Sequence, residues 1–396
     1  MPESKEVFEM VTQKAGPDQG ALQRQHEAQA RRRRRQRIGA IALAAAVIAA
    51  LAIFFITNPA GDTGGLPAGR VSTSPPLTST PGVATMSPAF VDLHGTVISG
   101  VNLPPDAWEP NLSRDGKWIV YVTASPDVAA CTSCAPGARI VAARIDGSGA
   151  RYLTQYGGPG ISGVDQPVWS PDGTRIAFVA RGASDHGPFT ANIFVIGAGG
   201  SGMEQLTTGP TQKGWPSWSP DGASIVYNDA GSQPLDSSGF SDTQEIYRVA
   251  ADGSGKPIRL THDHVDDSQA VYSPDGTQIA LYHGLSFGSA HENTIAIMNA
   301  NGSGFLPLPG DAGFSPRWSP DGSRIAFFTY NPSERFMLPD PVSGEQSWPR
   351  CDLKIFTVAK GETSDVGVSV ASDVNAISWS LDGQELFVNR ASNPSG

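Results

Sequence analysis

Short runs of alternating apolar and polar positions recur through the C-terminal three quarters of this 396-residue chain. Six of them open on Ile or Leu with a second apolar residue two positions on: Ile119 and Tyr121, Ile176 and Phe178, Ile225 and Tyr227, Ile279 and Leu281, Ile325 and Phe327, Leu386 and Val388. A period of two places successive side chains on opposite faces, so each run predicts a β-strand. Just before each run stands one phrase: Ser113-Arg114-Asp115-Gly116, Ser170-Pro171-Asp172-Gly173, Ser219-Pro220-Asp221-Gly222, Ser273-Pro274-Asp275-Gly276, Ser319-Pro320-Asp321-Gly322 and Ser380-Leu381-Asp382-Gly383. Pro presets φ, Ser bonds back to the backbone and Gly takes the positive φ, which predicts a tight turn. An aromatic residue precedes five of the turns: Trp169, Trp218, Tyr272, Trp318 and Trp379. Each phrase therefore joins two strands of a hairpin.

A second hairpin follows each of the first five. Ile140–Ala143 leads to Asp146-Gly147-Ser148-Gly149, Ile193–Ile196 to Gly199-Gly200-Ser201-Gly202, and Ile246–Val249 to Asp252-Gly253-Ser254-Gly255. Ile295–Met298 leads to Asn301-Gly302-Ser303-Gly304, and a divergent copy runs from Ile355–Val358 to Lys360-Gly361. Two hairpins give four antiparallel strands, one propeller blade. The turn glycines lie 46 to 61 positions apart, a propeller period. The sixth copy lacks its second hairpin. Phe90–Leu93, His94-Gly95 and Thr96–Ile98 predict the missing pair. The expected fold is all-β: a six-bladed β-propeller of four-stranded antiparallel blades, its last blade built from residues near 90–99 and 375–390. An open sixth blade is the alternative, but closure removes free sheet edges.

The repeated Trp-Ser-Pro-Asp-Gly-x-x-Ile-Ala-Phe phrase, followed by a strand and Asp-Gly-Ser-Gly, resembles the repeat of the TolB-type β-propeller family, relatives of WD-repeat propellers. The resemblance runs from about residue 90 to the end. It implies the propeller fold and a tendency to bind partners. Certain TolB-like propellers are pectate-fragment lyases with a histidine-rich metal centre, so the resemblance also implies an alternative chemistry.

Ahead of the propeller the pattern changes. Residues 38–56 carry no charge and are almost all Ala, Ile, Leu, Val and Phe. Nineteen residues at helical rise reach roughly 28 Å, enough to cross a membrane as one helix. Arg31 to Arg35 and Arg37 stand directly before them, which predicts a cytoplasmic N-terminus and an extracytoplasmic propeller at the cell membrane. The 37-residue lead favours an uncleaved signal anchor over a cleaved signal peptide. Residues 57–88, rich in Pro, Ser, Thr and Gly, read as a linker. The expected organisation is 1–37 basic tail, 38–56 transmembrane helix, 57–88 linker and 89–396 propeller. Residues 1–37 hold nine Lys/Arg and five Asp/Glu, a net charge of +4. The whole chain is −10, which leaves −14 for the remainder. That balance excludes nucleic acid as a partner.

Candidate chemistry is sparse. The repeat turns line one face of the propeller and look small and uniform. The other face carries longer segments: 123–138, 180–190, 228–243, 282–292 and 329–351 within blades, 155–166 and 261–268 between them. Binding sites sit on variable loops over a rigid frame, so this face is the expected functional one. It gathers His186, His262, His264, His283 and His291 with Asp263, Asp266, Asp267 and Glu292. His262, His264, His283 and His291 are the candidate ligands of a divalent metal; polar loops solvated by water explain the same residues without one. Trp215, Trp348, His186, Asp266 and Asp267 are the candidate partner contacts. Cys131 and Cys134 suit a local loop staple, leaving Cys351. No Gly-x-Ser-x-Gly elbow occurs. The expected function is a membrane-tethered binding scaffold for a protein or cell-envelope polymer, a role that requires no cofactor and no chemistry. The alternative is a metal-dependent carbohydrate-active lyase or hydrolase.

Overall fold

The computed structural model describes residues 85–101, 103–104, 107–123, 138–154, 161–182, 190–230, 243–263, 265–284, 293–309, 313–340, 344–371 and 377–392. Residues 1–84, and with them the expected tail, membrane helix and most of the linker, lie outside these. So do Cys131, Cys134, His186, His264 and His291.

Two strands come first, β1 (Thr85–Asp92) and β2 (Val97–Gly100). Blade 1 holds β3 (Ala107–Leu112), β4 (Trp118–Thr123), β5 (Arg139–Arg144) and β6 (Arg151–Tyr152). Blade 2 holds β7 (Ile161–Trp169), β8 (Arg175–Gly182), β9 (Ala191–Gly197) and β10 (Glu204–Gln205). Blade 3 holds β11 (Lys213–Trp218), β12 (Ser224–Asp229), β13 (Glu245–Ala250) and β14 (Ile258–Arg259). Blade 4 holds β15 (Asp266–Tyr272), β16 (Gln278–Gly284), β17 (Thr294–Asn299) and β18 (Leu306–Pro307). Blade 5 holds β19 (Gly313–Trp318), β20 (Arg324–Asp340), β21 (Gly344–Thr357) and β22 (Glu362–Ala371). β23 (Ile377–Trp379) and β24 (Glu385–Ser392) complete the chain's strands.

Blade 6 is assembled from both ends. β24 pairs with β23 on one side and with β1 on the other, and β1 pairs with β2. The β1–β24 ladder runs from Thr85↔Ser392 to Asp92↔Glu385. β1 therefore begins four residues inside the segment read as linker. The ring closes as the alternation predicts. Gly95, in the β1–β2 turn, has φ +79°, and a Cβ there would meet the Val366 carbonyl oxygen of blade 5 at 2.5 Å.

Period-two patterning gives every central strand two buried faces. Val120 and Val122 pack with Ile140 against Trp169, Ile176 and Phe178 of blade 2. Their neighbours Ile119 and Tyr121 pack the other way, against Phe387 and Phe90 of blade 6. Six such clusters fill the spaces between consecutive blades. The turn aromatics belong to this packing: Trp169, Trp218 and Trp318 are buried.

All six repeat turns share one bonding pattern. The Ser hydroxyl donates to the Asp carboxylate at 2.6–2.7 Å. The first strand residue donates its N–H back to the Ser oxygen at 2.9–3.0 Å. These donors hold the Asp carboxyls below their usual range; Asp321, bonded first by Ser319 and then by Ser323, is pushed down to about 2.

One expectation is corrected. Residues 329–351 were read as a long variable loop, but β20 and β21 continue as a paired ribbon through Tyr330↔Cys351 and Phe336↔Trp348 to Asp340↔Gly344. Cross-strand pairing absorbs a Pro- and Ser-rich stretch by bulging between Asn331 and Arg335. Cys351 is thus a strand residue, fully buried in the core between blades 5 and 6, and burial pushes its thiol up to about 12.

Candidate functional site

The innermost strand of each blade lines the central axis, and it is not regular. Three residues before the turn aromatic or its Leu112 equivalent, the chain enters the left-handed region: Glu109 (φ 51°), Gln166 (54°), Trp215 (55°), Gln269 (56°) and Ser315 (55°). Each marks a bulge in the register with the neighbouring strand. A left-handed conformation costs a residue with a Cβ about 1–2 kcal/mol, so its recurrence in five blades needs a compensation. Part of it is a relay around the axis. Gln166 donates its N–H to Glu109 Oε2 (2.5 Å), Trp215 to Gln166 Oε1 (2.6 Å), and Ser315 to Gln269 Oε1 (2.6 Å). The bulge frees a backbone donor and the preceding blade's side chain accepts it. Trp215 has no acceptor to pass on, so the relay breaks between blades 3 and 4. Gln166, Trp215 and Gln269 crowd the axis, leaving a cavity of only about 20 Å³.

Two residues further along each strand the axis widens. Asn111, Val168, Ser217, Val271, Arg317 and Ser378, one from each blade, form a throat. Beyond it a mouth of about 310 Å³ opens among the repeat turns, with Trp169, Trp218, Trp318 and Trp379 in its walls and Pro171, Pro220, Pro274 and Pro320 at its rim. Arg317 is the single charge in the throat. Its Nη1 donates to the carbonyl of Pro316 at 2.8 Å, and no carboxylate among the described residues pairs with it. Burial pushes its pKa down to about 10, which leaves it charged at neutral pH. The rim adds Arg114, which stands where four of the other turns have Pro. Among the described residues no Asp or Glu lines the mouth.

At the opposite end of the inner hairpins, three blades place a charged pair, partly exposed in blade 2 and buried in blade 3. Asp165 accepts from Arg181 Nε (2.6 Å), and Lys213 lies 3.4 Å from Asp229. Blade 4 uses a titratable cation instead: His283 Nδ1 lies 2.7 Å from Asp267 Oδ1 and 3.8 Å from Asp263. Asp267 is fully buried, its Oδ2 has no hydrogen-bond partner, and burial pushes its carboxyl up to about 6. Burial alone would lower His283, but the bonded Asp267, then Asp263 and Asp266, outweigh it and raise the ring's pKa. Asp263, Asp267 and His283 can converge on one cation. Two oxygen donors and one imidazole fit a borderline divalent ion.

Of the predicted site residues, His186, His264 and His291 lie outside the described ones. Of the proposed histidine quartet, His283 joins this acidic pair and His262 is exposed outside it. Asp266 and Asp267 open β15 as buried residues rather than loop contacts. Trp215 lies on the axis. Trp348 is carried by the β20–β21 ribbon. Sequence reasoning missed the mouth, because its turns looked uniform. The available signal was small: the residue before the turn aromatic is uncharged in every copy except Arg317, and Arg114 departs from Pro.

Comparison with known proteins fits this architecture. The family model of the TolB beta propeller domain matches residues 106–337, more than half of the chain. An uncharacterized peptidase, YuxL, of Bacillus subtilis is 29% identical over 131 residues, 33% of this chain and 19% of that protein. The uncharacterized protein Atu1656 of Agrobacterium fabrum is 29% identical over 176 residues, 42% of this chain and 55% of that one. The chain thus spans less than two thirds of either relative. A solved structure assigned to TolB from Agrobacterium tumefaciens superposes with a TM-score of 0.57 at 18% identity, covering 78% of this chain and 99% of that one. At that identity the likeness concerns the fold alone.

Proposed function

The chain belongs to the TolB beta propeller domain family, and from that premise we propose that it is a binding scaffold whose site is the channel mouth on the turn face. The observation that carries this reading is the mouth itself. Six blades contribute one wall each to a concave, largely apolar pocket of about 310 Å³, closed below by the bulge residues. Ligand sites are concave, mostly apolar and furnished with few polar groups. The frame is rigid, since Arg175 and Arg324 tie consecutive blades beside it. Its partner is a protein. The turn hydroxyls at the rim, those of Ser113, Ser170 and Ser273, are already committed to the turn Asp residues, which favours a peptide over a sugar.

Residues 38–56 anchor the chain in the cell membrane, with the propeller on the extracytoplasmic side; their apolar run and the arginines before it support this. Among the described residues no helix is long and apolar enough to cross a membrane. Ser217→Trp fills the throat and tests the site. Capture of partners from envelope extracts by the solubilised full chain then falls away, while Tyr152→Ser on the outer edge leaves it intact. Equal capture by both variants refutes the assignment.

A second reading concerns the loop face. The orphaned Oδ2 of buried Asp267, beside His283 and Asp263, favours a divalent cation there. When bound, such an ion would supply Lewis acidity or structural cross-linking. Metal analysis of the intact protein against His283→Ala decides it: equal metal content in both removes the reading.

A further inference from the structure

Arg317 has no carboxylate partner among the described residues. Among the other cations of the inner hairpins, Arg181 faces Asp165 and Lys213 faces Asp229, while Arg175 and Arg324 spend their donors on backbone carbonyls of the next blade. Arg317 faces the open mouth, with one carbonyl bond from Nη1 and four remaining N–H donors. Arg317 is part-buried, and none of its nitrogens is a buried atom left without a partner, so its remaining donors are open to the mouth. The second cation, Arg114, sits on the same rim. The mouth therefore holds two guanidinium groups and no carboxylate, in an exported portion whose net charge is −14 with its preceding linker and span. Below Arg317 the axis narrows to about 20 Å³, room for little more than a water molecule. Whatever enters from the turn face stops at the guanidinium.

We infer that the mouth recognises a carboxylate on an acidic peptide segment of its partner, with Arg317 as the anchor in the throat and Arg114 as the steering charge at the rim. This deepens the scaffold reading and rests on it. A guanidinium binds a carboxylate through two parallel N–H···O bonds, and covering the throat with the bound peptide strengthens them. The proline and tryptophan collar covers the flanking peptide. A sugar acid would offer the same carboxylate, but its hydroxyls would find the rim serines Ser113, Ser170 and Ser273 occupied.

The test uses the solubilised full chain and two fluorescein-labelled peptides, Gly-Pro-Glu-Pro-Gly and its Gln counterpart, followed by anisotropy. The wild-type protein prefers the Glu peptide by about 30-fold or more, the ratio expected for a buried charge-assisted pair. Arg317→Met abolishes that preference, and Arg317→Lys restores part of it. Arg114→Pro, which rewrites the turn as four other blades have it, slows association and flattens its salt dependence. Equal affinity for both peptides, no binding of either at millimolar concentration, or displacement only by a uronic-acid oligosaccharide overturns the inference. The wild-type comparison needs no variant to fold. If Arg317→Met still captures the partner through a mouth that Ser217→Trp blocks, the carboxylate assignment fails while the scaffold reading stands.

Discussion

Arg175 offers a direct reading of what holds one blade to the next. It follows the second repeat turn, and its side chain leaves its own blade. Nη1 donates to the Ala251 carbonyl (3.0 Å) and Nη2 to the Gly222 carbonyl (3.1 Å), both in blade 3. The guanidinium lies 4.6 Å from the ring centre of Trp218, whose Nε1 donates back to the Val168 carbonyl of blade 2 (3.3 Å). Bonds to a charged donor contribute about 1.5 kcal/mol or more each when buried, and a cation over an indole about 0.5–1 when partly exposed. Arg175 is half-buried, so discounting for water gives a cost of about 2 kcal/mol for Arg175→Ala. Unfolding entropy of about 2.1 cal/mol/K per residue over roughly 300 residues converts this to a melting shift of about 3 °C. Arg175→Lys keeps the charge over the ring and loses the fork, so it falls between. Differential scanning calorimetry of the three proteins reads the effect. A shift below about 1 °C for Arg175→Ala, the scale of an ordinary surface substitution, refutes the inter-blade latch. A double-mutant cycle with Trp218→Leu measures the coupling; strict additivity also counts against it.

Three further outcomes are expected. The turn Asp residues have folded pKa values below their unfolded ones, so their stabilisation is present above about 3.8 and is lost as pH falls towards about 2, the value for Asp321; Ser319→Ala removes the largest cause and flattens the acid limb of its melting profile, and parallel profiles contradict this. Gly95→Ala places a Cβ against the Val366 carbonyl at 2.5 Å and strains a φ of +79°, so it destabilises ring closure by more than about 1 kcal/mol, read by urea denaturation; an unchanged midpoint rules out the close approach to blade 5. Deleting residues 38–56 moves the protein from the alkali-resistant membrane pellet to the soluble fraction; retention in the pellet contradicts the anchor.

The propeller was legible because its signals are local and repeated. The Ser-x-Asp-Gly turn carries its own hydrogen bonds, and the Ile119/Val120 alternation names both packing faces of a strand. Even the long-range pairing of β1 with β24 followed from counting strands. The β20–β21 ribbon was hidden because Asn331-Pro332-Ser333-Glu334 has turn composition, and only its partner strand reveals a bulge. Asp267 looked like a loop acid because its cation, His283, comes from the next strand. Arg317 looked like any strand arginine. Its meaning depends on six blades converging on one axis, which no single repeat encodes.

The two faces of the propeller compete for the role of binding surface, and site-specific photo-crosslinking in living cells separates them. A benzophenone residue in place of Leu381, exposed at the mouth rim, is compared with one in place of His262, exposed on the loop face. The account predicts a discrete protein adduct from position 381 that Ser217→Trp removes, and none from position 262. An adduct from position 262 alone would move the site to the loop face and contradict it.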